Sequence, residues 1–139
     1  MLANVETVSE HEPKAEQRSP LTAALRDLIS QHDLSSAFSP GADPKPNLLF
    51  KGGGMTTLYL NLPPSAGMPV HDHVGRQVTL VCMKGEANVV LAGEPTRLRE
   101  GELLTFPGEL LVEPRNDSAA PAGLLILLAA TGPKDKADS

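Results

Sequence analysis

The chain has 139 residues with 17 acidic side chains against 12 basic ones, a formal net charge of −5 that disfavours nucleic acid or an anionic membrane surface as partner. Aromatic residues make up 3% of it and tryptophan is absent, so platforms for stacking bases or sugars are scarce and the core must be mostly Leu, Val, Ala and Met. This length fits one modest core but not two ordinary domains, and the single cysteine, Cys82, excludes an intrachain disulfide.

Residues 1–18, "MLANVETVSEHEPKAEQR", are polar and lack apolar periodicity, which predicts a flexible tail with His11 as a solvated bystander. No basic patch is followed by an apolar run there, and with the lone thiol this sets a cytoplasmic expectation. Residues 19–46 read as a helix and connector. In "SPLTAALRDLISQHDL", Ser19 can cap, Pro20 suits the first turn, and Leu21, Leu25, Leu28 and Ile29 share one helical face. His32 is expected near the end of that helix, where a cation suits the dipole. "SPGADPKPN", residues 39–47, then breaks any helix with three prolines in nine residues.

From residue 47 to 131 short apolar runs alternate with turn signals: "NLLFK", "GGG", "MTTLYLNL", "PPSAGMP" and onward. Gly85, Gly93 and Gly101 punctuate the middle at eight-residue intervals. The spacing predicts an all-β sandwich or barrel. "GLLILLAA", residues 123–130, falls far short of the roughly 20 residues that cross a bilayer and reads as a buried strand. Residues 132–139 are expected to be a second flexible tail.

Chemistry concentrates in "HDHVGRQ", residues 71–77. On a strand His71 and His73 share one face about 7 Å apart, a spacing that can chelate a metal, while Asp72 points the other way. The next inward side chain depends on register. Counting from the histidines favours Gln77, counting back from Gly85 favours Val78, and a one-residue slip reverses every side chain of the strand.

Two motifs in order give the chain a resemblance to the cupin superfamily, small jelly-roll barrels of the RmlC-like kind, over residues 47–131. "SAGMPVHDHVGRQVTLVCMKG" supplies His71, His73, Gln77 and Gly85 of the first motif, with Ser65 where its first glycine belongs. "GELLTFPGELLVEPRN" supplies Gly101, Glu102, Pro107 and Asn116 of the second, with Glu109 in place of a glycine and Val112 in place of a histidine. The resemblance implies a single cupin jelly-roll barrel with a short N-terminal helix. It also implies a ligand set of three histidines and one carboxylate or amide, of which His71, His73 and Gln77 carry over.

Three readings of function follow. In the first, His71, His73 and Gln77 weakly hold a divalent metal (Zn, Ni, Cu, Fe or Mn), and the family's chemistry on a small organic molecule is dioxygen insertion, isomerisation or decarboxylation. Tyr59, Glu109 and Glu113 are the nearby acid–base candidates, and alternation from Val112 puts Glu113 outside the barrel. In the second, no metal is held and a binding or sensor pocket lined by Met55, Tyr59, Met68, Val78 or Val81, Cys82, Met83 and Val112 takes a small molecule that the histidines orient. In the third, the apolar runs "NLLF" and "GLLILLAA" are buried in a homodimer. Whether the protein is an enzyme stays open.

Overall fold

The computed structural model describes residues 23–132. The chain divides between Gln31 and His32 into two units. Of the first, the described part holds one helical turn, α1 (Ala23–Arg26). The expected helix therefore ends earlier than its apolar pattern: Leu28 N bonds Leu25 O at 3.0 Å and Ile29 N bonds Arg26 O at 3.1 Å, three-residue reaches that tighten and end the turn. His32 falls beyond it, at the start of the other unit, and so is not at the helix end where it was expected. Ser19, Pro20 and Leu21 lie outside the described residues. A second turn, α2 (Leu34–Ala37), lies in the other unit ahead of the proline connector, because the Asp33 carboxylate accepts from Ser35 N at 3.1 Å and caps it.

Eight strands follow: β1 (Pro46–Gly52), β2 (Met55–Leu62), β3 (Arg76–Lys84), β4 (Glu86–Leu91), β5 (Glu94–Arg99), β6 (Leu103–Pro107), β7 (Val112–Arg115) and β8 (Ala122–Ala130). They form the expected jelly roll: a five-stranded sheet ordered β1-β2-β8-β3-β6 and a three-stranded sheet ordered β5-β4-β7, with every ladder antiparallel. Gly85, Gly93 and Gly101 all fall in the turns that the eight-residue spacing predicts. "GLLILLAA" lies in β8, the middle strand of the larger sheet. No helix among the described residues is long and apolar enough to cross a membrane.

Strand alternation builds the core. Leu60 and Leu62 of β2, Val78, Leu80 and Cys82 of β3, and Leu124, Ile126 and Leu128 of β8 form the inner face of the larger sheet. Ala87, Val89, Leu98 and Val112 meet them from the smaller one. Each of the larger side chains contributes about 1.5–3 kcal/mol by burial. The intervening residues of β2 point outward. Tyr59 is fully buried there because its ring lies over Gly123, where a Cβ would run into the phenol. Beside it Asn61 accepts from Ser39 N at 2.8 Å and donates to Ala37 O at 3.1 Å, which fastens α2 over this end of the outer face.

Candidate functional site

Residues 63–75, between β2 and β3, cross from one sheet to the other. Met68 N bonds Pro114 O at 2.9 Å. His71 and Val112 then exchange two backbone bonds of 3.0 and 2.8 Å, and His73 N bonds Gly108 O at 2.8 Å before β3 begins. Residues directly opposed in an antiparallel pair project to one face, so His71 stands on the inner side with Val112, which belongs to the core. His73, two residues on, is its neighbour there, with ring centroids 4.8 Å apart and planes at 90°. Gly108 makes this closure feasible: its N bonds Arg76 O at 2.7 Å, and a side chain at 108 would collide with the carbonyl oxygens of His73 and Arg76.

The His71 Nδ1 lies 2.7 Å from Pro69 O. A carbonyl only accepts, so Nδ1 carries the proton and, in the neutral ring, Nε2 keeps a free lone pair. Burial first, then the neighbouring His71, depress the pKa of His73; Arg76 acts in the same direction and Asp72 against it. His73 is therefore neutral near pH 7.

Strand register settles which of Gln77 and Val78 faces in. β3 pairs with β8 without interruption from Arg76 to Cys82; Val78 lies opposite Phe106 and Leu128 in the core, and Leu80 and Cys82 share its face. Gln77, expected as the third metal ligand, is exposed on the outer face, its Nε2 donating to Thr105 Oγ1 at 3.4 Å. The observed register is the one counted back from Gly85, not the one counted from the histidines.

Of the expected pocket residues, Val78, Cys82 and Val112 are core, and Met68 is half-buried against them. Tyr59 is on the outer face instead, and Met55, on the same side of β2, is 41% exposed. Met83 lies where the β3–β8 pairing slips between Cys82 and Lys84, outside the core cluster. The Cys82 thiol bonds Lys84 O at 3.4 Å and Gly85 O at 3.3 Å, and burial pushes its pKa up to about 11. It is a protonated small hydrophobe about 13 Å along the strand from Val78, not a ligand or nucleophile. Neither Glu109, exposed and accepting from Gly75 N at 3.2 Å, nor Glu113, paired with Arg115 at 3.5 Å, is placed as an interior acid or base.

One inward residue has no place in the motif reading. Arg76 precedes Val78 by two positions and so shares its face. It is half-buried, and its Nη1 reaches over the inner side of β8 to Leu128 O at 3.3 Å and to Thr56 Oγ1, on the inner side of β2, at 3.5 Å. The period-two alternation that identifies Val78 would have found it.

The donor set does not fit a resident metal. Catalytic sites generally supply three protein ligands. Here the interior offers two imidazoles, valines occupy the two remaining family positions, and among the described residues no three of His, Cys, Asp and Glu gather. The Arg76 guanidinium adds positive charge to the same neighbourhood, which opposes a dication.

No curated protein matches the chain. Among solved structures, TT1209 from Thermus thermophilus is 25% identical, with a TM-score of 0.68, over 73% of this chain and 98% of its own. An RmlC-like cupin protein from Desulfovibrio desulfuricans is 18% identical, TM-score 0.64, over 73% and 96%. The Cupin_2 domain of an XRE family transcriptional regulator from Enterobacter cloacae is 21% identical, TM-score 0.58, over 65% and 97%. These likenesses support the fold. Residues 58–128 match the Cupin_2 family of cupin domains, and the chain belongs to that family.

Proposed function

We propose that this protein is a non-catalytic cupin that binds a small organic molecule at the barrel mouth, with His71 and His73 orienting it. The observation that carries this reading is the inward placement of Val78 together with Val112 opposite His71, which leaves two imidazoles beside apolar side chains. An apolar wall with a few convergent polar groups is how small-molecule sites are built. The competing reading, a metal-dependent enzyme, draws on the His71 Nδ1 bond to Pro69 O, since ligating histidines are commonly oriented that way. It lacks a third donor and an interior acid or base.

Thermal denaturation of tag-free, chelator-treated protein against a library of small metabolites tests this. The expected result is a rise in Tm with specific compounds in metal-free protein, lost when His71→Ala and His73→Ala are combined. A rise that appears only after nickel or zinc is restored would overturn the proposal in favour of a metal-dependent site.

A further inference from the structure

The geometry points to a carboxylate as the group this site receives, with the Arg76 guanidinium as its anchor and the apolar body of the ligand lying toward the part-buried Met68 and Leu58, which pack over the core. This rests on the ligand-binding reading above and narrows it to a chemical class.

Arg76 is half-buried, yet the acceptors it reaches are neutral: a main-chain carbonyl at 3.3 Å and a hydroxyl at 3.5 Å, both long for a charged donor. Among the described residues the ion pairs are Arg97 with Glu86 and Arg115 with Glu113 and Asp117; none involves Arg76. A guanidinium presents five donors in a planar fork, and here one nitrogen makes both bonds. The fork therefore keeps donor capacity for a planar two-oxygen acceptor, which a carboxylate supplies in bidentate form.

The surroundings agree. Arg76 N bonds His73 O at 3.0 Å, which holds the guanidinium's strand start against the imidazole pair. Lys51 stands directly opposite Thr56 across β1 and β2, so the rim on that side adds another cation. Nearby carboxylates are turned elsewhere: Asp72 is exposed on the face away from its flanking histidines, and Glu109 is engaged with Gly75 N. The ligand therefore meets positive charge at Arg76 and at the Lys51 rim. That charge selects a small monocarboxylic acid over a dication or an amine.

The test uses full-length ¹⁵N-labelled protein, chelator-treated, titrated with butanoate, hexanoate and benzoate, each against its own carboxamide. The expected result is a shift of the His71, His73 and Arg76 side-chain signals, with at least one carboxylate binding about tenfold or more tighter than its amide. Arg76→Gln should bring that ratio close to one, with carboxylate affinity falling far more than amide affinity, and Arg76→Lys should keep part of it. Arg97→Gln, which removes the same charge from the exposed smaller sheet, should leave the ratio as it was. Equal affinities in the wild type, or a ratio that survives Arg76→Gln, would overturn the carboxylate assignment and leave the ligand site standing. If no probe of either kind moves the histidine signals, both this inference and the ligand-binding reading fail.

Discussion

The two ends of the barrel interior handle polar groups in opposite ways. At the end where β7 and β2 finish, Asn116 is completely buried and its amide is fully used. Nδ2 donates to Leu62 O at 2.9 Å and Ala120 O at 2.8 Å, and Oδ1 accepts from Ser118 N and Oγ at 2.9 and 2.8 Å. At the mouth, His71, His73 and Arg76 are only half-buried and keep bonding capacity in reserve. A saturated buried amide stabilises the fold, whereas the part-exposed polar groups of the mouth are the ones the proposed ligand would engage.

The sharpest test of that contrast is Asn116→Ala. It removes the side-chain partner of the Leu62 carbonyl and of the Ser118 N–H, while Ala120 O keeps the Ser118 hydroxyl at 3.0 Å. At about 1–3 kcal/mol for each group left without a partner, the expected loss is at least about 2 kcal/mol. Thermal denaturation should show Tm lower by roughly 8 °C or more. Carboxylate affinity of the folded protein should stay unchanged. Parallel loss of affinity at temperatures well below the new midpoint would mean that the two ends are not independent.

The contrast can also be attacked from the mouth. Replacing Val112 by His and Val78 by Glu puts donors at the two inward positions where this chain carries valine. If His71 and His73 face the shared interior as described, nickel or zinc affinity measured by calorimetry should tighten on the order of a hundredfold over wild type, about 2.7 kcal/mol. Some intrinsic stability is lost, since both new side chains exceed the space that valine fills. No gain in metal affinity would place the imidazoles elsewhere. Removing them instead, with His71→Ala and His73→Ala together, should change stability by less than about 1 kcal/mol, because they carry no core packing comparable to Val78. It should abolish the ligand response.

Much of this was legible in the sequence, and the misses have physical causes. Turn glycines at even spacing and alternating apolar residues point to an all-β sandwich or barrel, the resemblance to cupins makes it a jelly roll, and Val112 inside the barrel follows from the second motif. The apolar face through Leu25, Leu28 and Ile29 runs past the end of the helix at Arg26, since periodicity says which side of a helix would be apolar but not where it stops. Tyr59 was expected in the pocket, but its ring instead fills the space that Gly123 leaves on the other face. Gln77 was undecidable because two anchors implied registers one residue apart; the strand follows Gly85. Once Val78 is inward, Arg76 is inward too, a step available from the letters alone. The closing of the loop on Gly108 was not, because it depends on contacts between residues more than about thirty positions apart.

The smallest expected effect concerns pH and concerns the mouth alone. In the unfolded chain His73 takes up its proton near pH 6.5; in the folded protein burial and the facing His71 and Arg76 hold the ring neutral to lower pH, with Asp72 opposing them. Below about pH 6.5 the unfolded state therefore binds more protons, and stability declines as pH falls toward the depressed folded value. The decline stops once both states are protonated. Its slope cannot exceed about 1.4 kcal/mol per pH unit for one proton, and solvent screening of this part-exposed ring keeps it well under that. Tm measured at pH 7.5 and 5.5 should fall by a few degrees less in His73→Gln than in wild type, on the order of 1–3 °C. A saturating carboxylate should shrink the wild-type fall, because a bound anion beside Arg76 favours the imidazolium that the empty site disfavours. At the Asn116 end, Asn116→Ala should lower Tm by the same amount at both pH values. A His73 contribution that carboxylate leaves untouched would separate the histidine from the anchor and reduce the mouth to two unrelated polar groups.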